Sequence, residues 1–312
     1  MTPIAVFAYN RPEHVTRALE SLARCVRIDE CRVYIFCDGP KAEKEANSVW
    51  ATRSAVHELA PKLNAEIIER ENNFGLARSI VTGVTELCER YGRVIVLEDD
   101  LLVSPDFIDF MLQSLDRYSD SDNVFQVAGF MYPVDHPAST DAFFLPMTCT
   151  WGWATWHRAW TNFDATPDVA ILERLAGSEI RARFDPYGDD RFIRMLRKRI
   201  RGENNSWGIL WYSHVFQRHG LILWPRQSLV WVGGFDSSGT HCGDGAPFAQ
   251  EPAESFRLTR LETPARFPGL IAVDDAAFGR IKELFWNSRS TRSIARVSQK
   301  ILSILHRILY RD

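Results

Sequence analysis

The chain lacks the usual glycine-rich phosphate cradles. No G-x-G-x-x-G follows its first apolar run, and no G-x-x-x-x-G-K-[ST] occurs anywhere. A phosphorylated ligand would therefore have to be held by side chains and a cation. The six cysteines (Cys25, Cys31, Cys37, Cys88, Cys149 and Cys242) form no C-x-x-C pair, which excludes a zinc ribbon and suggests no disulfide framework. Such a set suits a reducing, cytoplasmic compartment. The opening "MTPIAVFAYNRP" has no basic region followed by a long apolar run and a cleavage site, and no later stretch reaches a membrane-spanning length without charge. The expectation is a protein neither secreted by that route nor inserted across a bilayer. A net charge of -3 provides no basic excess for a nucleic-acid partner. What remains, with 46% hydrophobic and 25% charged residues over 312 positions, is an ordinary globular composition with room for one or two domains.

The amino-terminal part alternates strand and helix. "PIAVFAY" reads as a strand, with Asn10 as a cap and Glu13 three residues on before a helix through Leu19 and Leu22. "RVYIFCDG" is a second strand ending at Asp38. A helix around Asn47 to Leu59, the strand "AEIIERE" and a helix from Leu76 to Tyr91 follow. This alternation calls for right-handed crossovers and a mostly parallel sheet covered by helices on both faces, an α/β, Rossmann-like half.

The next strand carries the sharpest signal. In "GRVIVLEDDLLVSPDF" the continuous β-branched run Val94 to Leu97 reads as a strand buried on both faces, and it ends in Glu98, Asp99 and Asp100. A helix follows, with Ser104 as a cap, Pro105 in its first turn and Phe107, Ile108, Met111, Leu112 and Leu115 on its inner face. Three adjacent carboxylates repel one another unless a cation or hydrogen-bond donors meet them. In open α/β sheets ligands bind outside the carboxyl ends of the strands, so the position suggests a site, and a hard divalent cation shared with phosphates would relieve the repulsion. A solvated acidic turn is the simpler alternative. Asn10 and Arg11, Asp38, Asn72 and Asn73 leading to Arg78, and the acidic triplet all fall at strand ends, which furnishes one rim of the sheet for a polar ligand.

After Val124 the pattern changes. "VFQVAGF", "AFFLP" and "TWGWATWHRAW" are strand-like and aromatic, with Trp151, Trp153, Trp156 and Trp160 close together and Gly152 letting the backbone pass near something bulky. Core packing accounts for tryptophans of this kind, while an aromatic wall could also stack against a sugar ring. Here Trp151 and Trp153 are taken as that wall. "FDPYGDDRFIRMLRKRIRG" reads as a helix with Asp189 and Asp190 at its amino end and basic residues at its carboxyl end, a charge order the helix dipole explains. "SLVWVGGFDSSGTH" is a strand breaking into a Gly/Ser loop that delivers His241. From Asn287 to Asp312, arginines and lysine alternate with apolar residues at helical spacing. The segment is an amphipathic basic helix, packed on the domain or lying on an anionic membrane surface.

Together "AYNRP", "CDGP", "NNFGLARS", "VLEDDLLVSPDF", "TWGWATW", "SWGILW" and "WPRQSLVWVGGFDSSGTH" resemble, in order and spacing, the GT-A fold nucleotide-sugar glycosyltransferases. Within them the likeness is to the N-acetylglucosaminyltransferase I family and related bacterial surface-polysaccharide transferases. It spans roughly Pro3 to His241. It implies a GT-A domain over 1–245, with a nucleotide-binding half (1–123) and an acceptor half (124–245), then an extension (246–286) and the basic helix (287–312). It further implies that Asn10 and Arg11 line the nucleotide pocket, that Asp38 receives the base, and that Arg78 approaches the nucleotide or sugar. Glu98 and Asp99 would touch the donor sugar and ribose, and Asp100 would ligate Mn2+ or Mg2+ with help from His241.

The chain departs from that pattern at one position. Where the family places a carboxylate beside the "SW" motif as the acceptor's base, Trp207 is followed by Gly208, Ile209 and Leu210. An inverting transfer needs a base within hydrogen-bond reach, so Asp190, Asp189, Glu203 and Asp236 become the candidates, in that order. A retaining mechanism or a non-catalytic homologue stays open. The expected protein is a metal-dependent transferase moving a sugar from a UDP-sugar, UDP-GlcNAc first among them, to a hydroxyl of a surface glycan or lipid-linked oligosaccharide. It would be cytoplasmic, with peripheral membrane contact through its last helix. The rivals are a nucleotidyltransferase, which would normally carry a Gly-rich basic loop where "AYNRPEH" stands, and a carbohydrate-binding protein with a vestigial nucleotide site.

Overall fold

The computed structural model describes residues 1–135, 139–235, 256, 260–261 and 264–286. His241, Asp236 and the basic segment 287–312 lie outside the described residues.

The first half follows the expected alternation: β1 (Thr2–Ala8), α1 (Pro12–Leu22), β2 (Cys31–Cys37), α2 (Ala46–Leu59), β3 (Glu66–Glu69), α3 (Leu76–Tyr91), β4 (Arg93–Glu98), β5 (Leu101–Val103) and α4 (Phe107–Arg117). The second half comprises β6 (Val124–Ala128), β7 (Ala142–Leu145), β8 (Trp153–Trp156), α5 (His157–Trp160), α6 (Ala170–Arg174), α7 (Ser178–Phe184), α8 (Arg191–Ile200), α9 (Trp207–Gln217), β9 (Leu221–Pro225) and β10 (Val230–Val232).

An eight-stranded sheet runs β3-β2-β1-β4-β8-β6-β9-β7. Its first four strands pair in parallel, as do β6 and β9, and only β8 and β7 run against the rest. This is the mostly parallel, helix-flanked sheet of the GT-A arrangement. Two changes of direction along β1 matter for the site. The chain leaves β1 for β2 on one side and returns as β4 on the other, so a switch point opens outside the carboxyl ends of β1 and β4.

Local sequence explains why the helices lie on this sheet as they do. In α1, Val15, Ala18, Leu19 and Leu22 fall on one face and are buried. In α3, Ile80, Gly83, Val84 and Leu87 do the same. Gly83 is needed there because a Cβ would stand 2.9 Å from the Phe7 ring, so the helix rests directly on β1. Gly92 ends α3 in the left-handed region at φ 77° and donates its N–H to the Cys88 carbonyl at 2.8 Å.

Two expected caps are not formed. Arg11, not Asn10, occupies the position before α1, and Pro12 begins the helix without a side-chain cap. Helix α4 starts at Phe107 behind Asp106, and Ser104 serves it through its backbone carbonyl at 3.1 Å while its hydroxyl stays buried and unpartnered. The chain goes straight from the acidic triplet into β5, which pairs antiparallel with β10, and Ser104 follows at the end of that strand.

The aromatic half is core. Trp153 is 1% exposed and stacks on Trp207 with ring centres 5.4 Å apart. Trp160 meets Trp211 at 4.9 Å. Gly152, at φ 62°, passes close to β10: a Cβ there would lie 2.6 Å from Val230. Residues 264–286 fold back onto the same body. Asp141 accepts from the Arg266 backbone at 2.8 Å, Asp274 donates to the Phe144 carbonyl at 2.9 Å, and Phe285, in a helix over 275–286, is buried against Tyr187. No helix of the described residues is long and apolar enough to cross a membrane.

Candidate active site

The acidic triplet is fixed from two sides. Because Phe7 stands in register with Glu98, the backbone just past β1 reaches the turn after β4, and Tyr9 donates its N–H to Asp99 Oδ2 at 3.1 Å. On the other side Gly233 donates its N–H to the Asp100 carbonyl at 2.7 Å, continuing the β5–β10 pairing. A Cβ on Gly233 would come within 2.9 Å of that carbonyl, so the glycine permits the approach.

Three carboxylates are thereby held in a poorly hydrated place. Burial, and then the charges of Asp100 and Asp99, push the Glu98 carboxyl well above the ordinary range. Burial and Asp100 push Asp99 up to about 7. Asp100 is raised by burial too, although Arg11 and His14 oppose the shift. Arg11 Nη1 donates to Asp100 Oδ2 at 3.1 Å, and both side chains keep nearly a fifth of their surface exposed (19% and 18%). Arg11, the residue before α1, and His14, in its first turn, both act on Asp100, and the positive end of that helix adds to their charge. His14 and Tyr9 were not singled out from sequence. The i, i+3 spacing of Arg11 and His14 at a helix start was the signal available for the histidine.

Asp38 is placed on the same rim but is already occupied. Its Oδ1 accepts from the Gly39 and Phe74 backbone at 3.0 and 2.8 Å, and its Oδ2 accepts from Asn73 Nδ2 and the Gly75 backbone at 3.1 and 2.9 Å. A carboxylate offers about four acceptor directions. All are used, three of them to pin the 73–75 turn, so the expected contact with a base would have to displace one of these bonds. The turn in turn sets Arg78: its guanidinium lies 4.0 Å over the Phe74 ring, next to Arg70 at 4.4 Å, and the side chain is exposed at the rim. Asn10, two residues past β1, is half-buried.

The remaining candidates fare differently. Trp153 offers no face to a ligand, being enclosed by tryptophans. Trp151 is half-buried, with its ring edge-on to Phe130 at 4.8 Å. An acceptor wall built on Trp153 is therefore corrected: β8 runs in the middle of the sheet, and its indole points into the core. Asp190 is bound by Arg181 through both carboxylate oxygens, and that pairing lowers its pKa. A carboxylate held this way is a weaker proton acceptor than a free one. Asp189 accepts from the Arg191 backbone and side chain at 3.0 and 3.3 Å, serving the start of α8. Glu203 is exposed after α8, 3.7 Å from Arg201. Gly208 sits at the start of α9, where a Cβ would approach Thr150 Cγ2 to 3.1 Å.

A divalent cation fits this donor set in one way. Among the described residues no three His, Cys, Asp or Glu side chains converge as a metal-binding group. Asp100 is nevertheless a reachable carboxylate in an acidic, buried surrounding, and a hard cation sharing it with phosphate oxygens and water would offset the repulsion.

An open, mostly parallel α/β sheet with carboxylates at its switch point accords with a GT-A glycosyltransferase domain. The family model described as glycosyl transferase family 2 matches residues 4–164, more than half of the 312, and the chain belongs to that family. Similar solved structures include S. aureus TarS, 13% identical with a TM-score of 0.45 over 74% of this chain. The match covers 36% of the TarS chain, so this chain spans well under two thirds of its length. Others are an active-site mutant of LgtC (16% identity, TM-score 0.32, 52% of this chain and 60% of that one) and mouse xyloside xylosyltransferase 1 in its apo form (9%, 0.37, 70% and 83%).

Proposed function

We propose that the chain transfers a glycosyl group from a nucleoside-diphosphate sugar to an acceptor hydroxyl with the help of a divalent cation held by Asp100. The observation that carries this reading is the largely buried carboxylate triplet at the β1/β4 switch point, with Arg11 and His14 acting on Asp100 beside the positive end of α1. Mn2+ or Mg2+ held by Asp100 would supply Lewis-acid stabilisation of the charge that grows on the departing diphosphate. Arg11 and the first turn of α1 add positive potential for the same phosphates. Glu98 and Asp99, whose neutral forms burial favours, can donate hydrogen bonds to sugar and ribose hydroxyls. Asp38 and Asn73 shape the turn that receives the base, and Arg78 stands at its edge.

The resemblance to the N-acetylglucosaminyltransferase I family supports a UDP-sugar donor, UDP-GlcNAc first, and a surface glycan or lipid-linked oligosaccharide as acceptor. His241 as a second metal-side group and membrane contact through 287–312 belong to the same proposal. The test is release of nucleoside diphosphate from a panel of nucleotide-sugars, with and without Mn2+. Metal-dependent UDP release from one sugar supports the reading, and equal release with and without metal would sink its metal step.

Gly208 favours a second reading, a nucleotide-binding homologue without an acceptor base. Its position lacks the carboxylate, and a Cβ placed there would approach Thr150 to 3.1 Å. Stabilisation by UDP with Mn2+ but no turnover with any donor or acceptor would select it.

A further inference from the structure

We infer that Arg11 is a built-in competitor for the metal-side carboxylate: its guanidinium and a divalent cation take the same oxygen of Asp100, and it moves to the diphosphate when the cation takes its place. This rests on the nucleotide-sugar reading above and deepens it. The geometry is specific. Arg11 Nη1 bonds Asp100 Oδ2 at 3.1 Å, and of the three acidic side chains Asp100 is the one it bonds. Asp99 cannot substitute as the exchange point, because its Oδ2 is engaged by the Tyr9 backbone N–H and the residue is buried. The Arg11–Asp100 pair, by contrast, keeps nearly a fifth of each side chain accessible, so a ligand can reach both members. Arg11 precedes Pro12 at the start of α1, where the chain has no side-chain cap, and Arg11 and His14 both lie close enough to Asp100 to act on its charge. A guanidinium released from Asp100 there stays beside the helix's positive end, where phosphate oxygens are favoured.

Two consequences of opposite sign follow. Without Arg11 the cation no longer has to break a charge-assisted bond, and Mn2+ alone binds more tightly. Without Arg11 the diphosphate loses a bidentate donor, and UDP binds more weakly once Mn2+ is present. A residue that merely shaped the pocket would weaken both.

The experiment is calorimetric titration of the full chain with Mn2+ alone and then with UDP at saturating Mn2+, comparing wild type, Arg11→Ala, Arg11→Lys and Asp100→Asn, each checked by its melting curve. The expected result for Arg11→Ala is Mn2+ binding about tenfold tighter, the size of one charge-assisted bond not broken. UDP binding in the same variant should be about tenfold weaker, with Arg11→Lys between. Asp100→Asn should abolish Mn2+ binding. If Arg11→Ala binds Mn2+ no better than wild type while Asp100→Asn still loses it, the competition is wrong and the metal site stands. If Mn2+ binds no variant, or binds all of them alike including Asp100→Asn, the metal reading itself fails and takes this inference with it.

Discussion

The acidic rim at β1/β4 and the tryptophan core beneath β8 and α9 are built on opposite principles. At the rim, Asp99 is buried and Glu98 and Asp100 half-buried, at the cost of raised pKa values, with Arg11 as the hydrogen-bonded cation. In the core, Trp153, Trp160, Trp207 and Trp211 stack on one another and the indole N–H of Trp160 is satisfied by Thr85 at 2.9 Å. One region stores unfavourable electrostatics for a ligand to relieve. The other stores apolar burial that no ligand need touch. The core nevertheless contains one group of the rim's kind: it encloses His214, 7% exposed, with Nε2 unpartnered and its ring stacked on Trp211.

The largest separation of the two regions comes from truncating each. Trp153→Ala should destabilise the fold by about 3–5 kcal/mol, the usual loss for a large buried aromatic, as read by chemical denaturation. Asp100→Ala should instead lower metal-dependent UDP release by about 10²–10³-fold while leaving the denaturation midpoint unchanged or higher. If Asp100→Ala unfolded the protein as Trp153→Ala does, the contrast between a strained rim and a stabilising core would be lost.

A smaller effect separates them by pH. Asp99 is folded with its pKa at about 7, above the ordinary 3.8, so its contribution favours the fold at low pH and is lost as pH rises towards 7. Burial, with the Arg218 charge, lowers His214 to about 4 from 6.5. Its contribution is complete above pH 6.5 and is lost as pH falls towards 4, a swing of about 2–3 kcal/mol. Asp99→Asn should therefore raise stability at pH 8 and leave pH 4 unchanged. His214→Phe should flatten the acid limb between pH 6.5 and 4, and an unaltered limb would show that His214 is not buried neutral. The smallest effect is expected at Asp190, exposed and tied to Arg181. Asp190→Asn should keep near wild-type turnover and melting temperature, and a collapse of turnover would restore it as the acceptor's base.

Much of the architecture was readable because it is local. Leu76 to Tyr91 coincides with α3 because its apolar spacing and the glycines at both ends act within a few residues of each other. "RVIVLE" is β4 because a continuous β-branched run has few other uses. The antiparallel insertion of β8 between β4 and β6 was not readable, nor was the β5–β10 pair, since both join segments far apart in the chain. Asn10 and Ser104 looked like caps by residue type, but the turn geometry around them was set by the neighbouring strands.

The site divides in the same way. The acidic triplet's place at the end of a buried strand, and the gathering of Arg11, Asp38 and Arg78 at strand ends, follow from the sequence by itself, because strand direction in a βαβ chain dictates which rim each end occupies. Which of these groups is left to meet a ligand was decided only by the tertiary structure. Asp38 is occupied by donors from the 73–75 turn and Trp153 is enclosed by its neighbours, while Asp100 and Arg11 keep nearly a fifth of each side chain accessible. The reason is physical: a side chain's spare hydrogen bonds and exposed surface depend on what distant segments place beside it, and those placements arise only when the sheet has closed.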